Sequence, residues 1–332
     1  MIYKLKKIVE GKMGINLRSE SILVTGGAGF VGSHLVNELL KYGNRVIVVD
    51  NLSLGKKENL PKTDNLFKFV HANASFSVLN DVIQKEKIDT VFNLAVIPLP
   101  ASFKDPSYTF HTNVEITRSL CDLLLNGKYN RLIHFSSSEA YGSAAYLPMD
   151  EKHPLNATTP YAASKAASDL LILSYCKTFD INAVILRPFN IYGPRQNAGQ
   201  YAAITPKVIM NILNDKEIVI TGDGKQSRDF TYVSDVVSAA ILLYSHDNLR
   251  NIILNIGSGI NYSMNSWVDK ILAICEKKIL VSYNKQRLAD VMCHKADIRL
   301  AHKLIGYKPV INSQNGLSKT IEWYIKKEKY NE

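Results

Sequence analysis

Thr25-Gly26-Gly27-Ala28-Gly29-Phe30-Val31-Gly32 (TGGAGFVG, residues 25–32) decides the fold of this chain. The apolar run SILVT at 21–25 leads into it. Helical periodicity leaves it over 29–42, with Phe30, Leu35, Leu39 and Leu40 on the apolar stripe. Three glycines, at 26, 29 and 32, therefore sit where a strand passes into a helix. Gly26 can make the tight turn. Gly29 lets a pyrophosphate approach the free N–H groups of the helix N-terminus, and Gly32 lets helix and sheet pack closely. A second strand, RVIVV at 45–49, ends in Asp50. A carboxylate there can accept both hydroxyls of an adenosine ribose and would repel a 2′-phosphate. Strand, glycine turn, helix and acid in this order imply a dinucleotide site for NAD rather than NADP, although Lys56 and Lys57 lie close by. Phe30, Val31 and Asn51 join the cofactor candidates by position.

Working outward, strands are expected over 66–70, 90–94, 131–135 and 183–186, and long helices over 106–125 and 160–179. Apolar strands alternating with helices predict a parallel sheet covered on both faces. Beyond about residue 190 the rhythm breaks into shorter elements marked by Gly193-Pro194, Gly222-Asp223-Gly224 and Gly257-Ser258-Gly259. The expected organisation is a basic extension over 1–20, opening in a short amphipathic helix, a dinucleotide-binding domain over 21–190, and a smaller, partly interleaved lobe over 191–332.

Composition agrees with a folded chain. Of 332 residues, 46% are hydrophobic and 21% charged, which excludes wholesale disorder. No apolar run approaches the roughly 18–20 residues of a membrane span. The opening MIYKLKKIVEGKMG lacks the apolar core and cleavage site of a secretory leader. Four scattered cysteines exclude a disulfide scaffold and a zinc ribbon, and suit a cytoplasmic protein. No metal site is expected. The net charge of +10 is diffuse, and no motif supports a nucleic-acid partner. A basic chain does suit small anionic ligands such as nucleotide diphosphates.

Tyr161-Ala162-Ala163-Ser164-Lys165 opens the second long helix, so Tyr161 and Lys165 share one face. An ammonium beside a phenol favours phenolate, and bound NAD⁺ adds charge to the same effect. Such a tyrosine can take a proton from a sugar hydroxyl. The spacing alone would also fit a surface tyrosine with an exposed lysine. Upstream, however, the strand 131–135 ends in Ser136-Ser137-Ser138-Glu139, at the strand end that lines a ligand crevice. Ser137 is the candidate to bond the same substrate oxygen. Ser136 and Ser138 read as structural or substrate-positioning.

With these motifs in place the chain resembles the extended short-chain dehydrogenase/reductases, in their nucleotide-sugar epimerase, dehydratase and decarboxylase branch. TGGAGFVG at 25–32, DNLS at 50–53, NLA at 93–95, SSSEAYG at 136–142, YAASK at 161–165, RPFNIYGPRQ at 187–196, GDGKQSRDF at 222–230 and ADI at 296–298 carry the resemblance. It implies an α/β Rossmann doubly wound parallel sheet with a smaller mixed α/β substrate lobe, NAD as cofactor, and a homodimer paired through the two long helices. It implies that Asn73 lies at adenine where the family often has aspartate. Leu94 and Ala95 would lie at the cofactor phosphates and ribose, Lys165 at the nicotinamide ribose and Pro188 at the carboxamide. It also implies that Asn190, Arg228 and Arg287 grip a sugar-nucleotide diphosphate, that Asp290 holds its ribose, and that His294 gates room for a 2-N-acetyl group.

All members of the branch open by oxidising sugar C4 with Tyr161 as the expected base. The fate of the 4-keto sugar depends on neighbouring groups. Glu139 stands where dehydratases and decarboxylases carry a catalytic carboxylate. Ser138 stands where many dehydratases carry an aspartic acid. The stretch 201–207 and the segment 222–230 resemble UDP-hexose and UDP-N-acetylhexosamine 4-epimerases. The expected activity is an NAD-dependent 4-epimerase acting through a 4-keto sugar. The alternatives are a UDP-glucuronate-type decarboxylase, an NDP-sugar 4,6-dehydratase, and a non-catalytic NAD-binding scaffold.

Overall fold

The computed structural model describes residues 19–286 and 289–329. The expected amphipathic helix near the N-terminus and Arg287 lie outside the described residues.

In chain order the first part comprises β1 (Ser21–Thr25), α1 (Phe30–Lys41), β2 (Arg45–Asp50), β3 (Phe67–His71), α2 (Phe76–Glu86), β4 (Thr90–Asn93) and the single turn α3 (Leu99–Ser102). Next come the long helix α4 (Pro106–Leu125), β5 (Arg131–Phe135), the second long helix α5 (Pro160–Phe179) and β6 (Ala183–Pro188). The rest of the chain supplies β7 (Asn190–Tyr192), α6 (Ile204–Leu213), β8 (Ile218–Thr221), β9 (Ser227–Tyr232), α7 (Val233–Tyr244), β10 (Ile252–Ile256) and β11 (Asn261–Ser263). It ends with α8 (Met264–Cys275), β12 (Val281–Asn284), α9 (Arg299–Ile305) and α10 (Ser313–Lys329).

Seven strands form one parallel sheet in the order β10-β6-β5-β4-β1-β2-β3. Strand alternation sends neighbouring residues to opposite faces. Ile22, Val24, Val46 and Val48 enter a core with Leu35, Val36 and Leu39 of α1 and Val236 and Ala240 of α7. Leu23, Ile47 and Val49 enter the other, with Ile83 of α2, Leu120 of α4 and Ile172 of α5. The strand order reverses between β1 and β4, and a ligand crevice opens at such a switch point.

The expected strands are present with small shifts at their ends. β3 begins and ends one residue late, and β6 runs on to Pro188, which carries Arg187 and Pro188 toward the crevice. The chain beyond residue 190 also gives the main sheet its seventh strand, β10, which pairs with β6. The smaller lobe is built on a three-stranded sheet β11-β9-β7, the parallel pair β12-β8, and helices α6, α8 and α10. Trp267 of α8, fully buried, stacks on Phe230 of β9 at 3.9 Å and donates to Thr205 Oγ1 at 3.0 Å.

Arg131 joins the C-terminal end of α7 to β5. Its guanidinium donates to the carbonyls of Leu243, Tyr244, His246 and Leu249 at 2.9–3.2 Å, where the helix end offers unpaired acceptors. Arg131→Ala strands several of these oxygens and should lower stability by about 3 kcal/mol in urea unfolding. A loss under about 0.5 kcal/mol would show that the cap is dispensable.

Candidate active site

A cleft of about 890 Å³ crosses the C-terminal ends of the strands and continues into the smaller lobe. At one end stands the glycine turn. Gly26 has φ +67°, and a Cβ there would lie 2.8 Å from the Ala95 nitrogen. A Cβ on Gly32 would lie 2.3 Å from the Gly26 carbonyl oxygen. Both positions exclude any other residue, and both line the cleft with Gly29, Phe30 and Val31.

Asp50, at the end of β2, accepts from Ala28 N at 3.0 Å and Leu52 N at 2.8 Å, so its carboxylate is fixed at the cleft wall. Asn51 Nδ2 donates to Asn73 Oδ1 at 2.8 Å, and both side chains belong to the same wall. Leu94, Ala95 and Pro188 complete the expected cofactor positions. The cradle that a Cβ would fill and the fixed carboxylate beyond it fit a pyrophosphate and a ribose, the two groups that NAD presents there.

The reactive residues come from two elements. Thr159 caps α5 by accepting from Ala162 N at 3.1 Å, and Pro160 takes the first helical position. This start places Tyr161 in the first turn, at the cleft, with Lys165 one turn below. β5 delivers Ser136 and Ser137. Ser137 Oγ accepts from Glu139 N at 3.2 Å, turning the chain into a short 3-10 segment, Ser138–Tyr141.

Tyr161 bonds Ser137, which eases its ionisation, but burial pushes the phenol up to about 12, and the carboxylates of Glu139 and Asp169 work in the same direction. Lys165 Nζ donates to the Phe135 carbonyl at 2.7 Å, and burial brings its ammonium down to about 8 against the pull of Asp169. The expected help from the Lys165 ammonium, to which bound NAD⁺ would add, does not offset burial in the chain without its cofactor: the lysine donates to the backbone, and desolvation dominates the phenol.

Asn190, Arg228 and Asp290 line the lobe side of the cleft. Asn190 Nδ2 is buried without a hydrogen-bond partner, a donor left for a ligand. Arg228 is lowered by burial and offset by Glu139 and Asp290. Glu139 also lines the cleft, raised by desolvation, with Arg228 opposing and Asp290 reinforcing the shift.

Ser138 and His294 do not line the cleft. His294 is fully buried, its Nε2 against the Gly142 carbonyl at 2.8 Å and its Nδ1 against Ser138 Oγ at 3.3 Å. Phe189 closes over the ring edge-on at 5.7 Å. The pair sits behind the wall, which separates both residues from direct substrate contact in this structure. Among the described residues no cluster of His, Cys, Asp and Glu is arranged to hold a metal ion. The cleft is also lined by Arg195, Lys207 and Gln226, for which the residue pattern predicts no role. All three lie inside stretches that carry the resemblance, at 187–196, 201–207 and 222–230, but residue type alone does not separate them from surface polar residues.

Burial and Arg228 push His294 down to about 3. The folded ring stays neutral while the unfolded ring takes a proton near its ordinary value, so this contribution is present above about pH 6.5 and falls away toward pH 3. Wild type should therefore lose about 2 kcal/mol more than His294→Gln between pH 7 and pH 5 in urea unfolding. Parallel losses in the two proteins would contradict the buried neutral ring.

Comparison with known proteins agrees with this geometry. Residues 22–257 match the model of the NAD dependent epimerase/dehydratase family. The chain is 35% identical over 305 residues to a Methanocaldococcus jannaschii protein with a provisional UDP-glucose 4-epimerase assignment, covering 91% of this chain and 97% of the relative. It is 32% identical over 315 residues to the UDP-N-acetyl-alpha-D-glucosaminuronate decarboxylase of Bacillus cytotoxicus, covering 91% and 97%. Among solved structures, the UDP-N-acetylglucosamine 4-epimerase of Methanobrevibacter ruminantium M1, in complex with UDP-N-acetylmuramic acid, superposes with a TM-score of 0.87. That pair is 34% identical over 94% of this chain and 100% of that one. The glycine cradle, the Tyr161–Lys165 helix and the match across most of the chain lead to one assignment: this protein is a member of the NAD-dependent epimerase/dehydratase family.

Proposed function

We propose that the chain is an NAD-dependent nucleotide-sugar 4-epimerase acting on a UDP-hexose or UDP-N-acetylhexosamine through a 4-keto sugar. The observation that carries this reading is the continuity of the cleft. One cavity is lined by the glycine turn, by Tyr161 and Ser137, and by Asn190, Arg228 and Asp290.

When bound, NAD⁺ would accept the C4 hydride and, once reduced, would return it to the 4-keto carbon, and its oxidised ring would bring a positive charge. Tyr161 takes the C4 hydroxyl proton, and Ser137 holds the same oxygen. Burial leaves this phenol a poor base on its own, so its ionisation waits for the incoming charge. Arg228 and the orphaned Asn190 amide donate to the diphosphate, a job suited to a guanidinium fork. Asp290 accepts from the nucleotide ribose. A sugar gripped through its diphosphate is free to present its other face before Tyr161 returns the proton.

A 4,6-dehydratase needs an acid beside the departing C6 hydroxyl. Ser138 occupies that sequence position and is turned into the protein against His294, which disfavours a dehydratase of the glucose type, though not of the mannose type, whose pattern also has Ser-Glu. The decarboxylase stays as the second reading because Glu139 faces Arg228 in the cleft. A non-catalytic scaffold would have no use for a complete Ser137, Tyr161 and Lys165 set.

Incubation with UDP-glucose, UDP-N-acetylglucosamine, UDP-glucuronate and dTDP-glucose, with mass and stereochemical analysis of the products, tests the reading. Unchanged mass with inverted C4 is expected. Loss of water or of CO₂ would replace the epimerase with a lyase. Tyr161→Phe should cost about 10³-fold in turnover while NAD binding survives. Undiminished turnover would remove Tyr161 from the chemistry.

We propose a homodimer paired through α4 and α5, because Tyr108 (54% exposed), Leu170 (57%) and Phe179 (51%) project from this helix pair. Sedimentation at micromolar concentration should give twice the chain mass of 37.1 kDa, and a monomer would contradict it. A cytoplasmic location belongs to the same proposal and rests on the four free cysteines.

A further inference from the structure

We propose that Asp169 is a positioning residue whose buried carboxylate keeps Lys165 an ammonium and locks the ends of β5 and β6 beneath the cleft. The inference rests on the role proposed for Lys165.

Asp169 lies four residues beyond Lys165 and eight beyond Tyr161, so all three share one face of α5. Its side chain is fully buried. One oxygen, Oδ2, accepts from Ser136 Oγ at 2.7 Å and from Arg187 Nε at 2.7 Å. Ser136 precedes Ser137, and Arg187 precedes Pro188, so this atom ties together the two strand ends that present those residues to the cleft. The other oxygen, Oδ1, is buried with no hydrogen-bond partner.

Geometry makes this more than a structural ion pair. A buried Arg–Asp pair contributes little net stability, and an apolar pair of equal volume often does as well. Arg187 also has a ring beside it. Its guanidinium lies 4.6 Å from the ring centre of Tyr141, whose hydroxyl donates to Asn255 Oδ1 at 2.8 Å. The carboxylate has a second cation to serve. Lys165 is itself buried, with the Phe135 carbonyl as its hydrogen-bond partner.

The groups around Lys165 leave Asp169 as its counter-charge. Tyr161 on the same helix is a neutral phenol. His134 of β5 is fully enclosed, and burial together with Lys165 holds it neutral. Arg187 of β6 is a cation bound to the same acid. Glu139, in the turn after β5, bears on Tyr161 and Arg228. Asp169 is the acid whose charge holds the Lys165 proton against burial.

Competitive labelling of the full-length, nucleotide-free protein with acetic anhydride, read at Lys165 by mass spectrometry across pH 6–10, measures that proton directly. Wild type should show a labelling midpoint near pH 8. In Asp169→Asn the midpoint should fall by a unit or more, raising the labelling rate at pH 7 by about fivefold or more. Asp169→Glu, which keeps the charge, should restore the wild-type midpoint. If Asp169→Asn alone does not fold, Asp169→Asn with Arg187→Gln removes the ion pair as a unit and should show a fall in the same direction, smaller because a neighbouring cation goes with the acid. A folded Asp169→Asn, or a folded double variant, with an unmoved midpoint overturns the proposal, because a purely structural acid would leave the proton where it was. The labelling needs no sugar and no turnover. A shifted midpoint in a protein that epimerises none of the substrates would sink the epimerase reading and leave Asp169 in place.

Discussion

The Lys165 ammonium donates to the Phe135 carbonyl at 2.7 Å, joining α5 to the last residue of β5. A helix and a strand end are thereby held in one register. Tyr161, one turn above the lysine, is brought against Ser137, two residues beyond the carbonyl. The glycine turn, the lobe residues and the capped start of α5 matter for function only because this register puts a phenol and a serine hydroxyl at the cleft. The bond is costly to maintain, since burial favours a neutral amine, and Asp169 offsets part of that cost.

The same burial shapes the chemistry. A tyrosine pushed up to about 12 is protonated at neutral pH. The protein without its cofactor thus holds the base in its protonated, inactive form. A cation beside the ring would reverse the balance, since a charge acting through a desolvated site is felt more strongly than in water. Burial and charge together would make the base available when the oxidant is present.

Much of this was legible in the residues. The apolar run of Ile22, Leu23 and Val24 reads as a strand buried on both faces, and the glycines at 26 and 32 read as a turn with no room for a Cβ. Tyr161 and Lys165 were legible because four residues make one helical turn. Asp169 obeys the same spacing, but an aspartate in a helix also reads as solvated surface, and only the fold brings Ser136 and Arg187 to it. His294 was placed at the substrate from its position in the family pattern. Its real neighbours, Ser138 and the Gly142 carbonyl, are more than 150 residues away in the chain, and such a contact leaves no local signal. The direction of the Tyr161 shift was likewise hidden, because desolvation depends on what covers the ring.

The central claim is that Tyr161 becomes an effective base only beside the positive charge of its cofactor. Ultraviolet difference titration near 295 nm, comparing the protein with Tyr161→Phe in the absence and presence of NAD⁺, tests it directly. The account predicts one tyrosinate, absent from the variant, that forms below about pH 9 only with NAD⁺. The same tyrosinate forming below pH 9 without NAD⁺, or failing to form with it, would contradict the account.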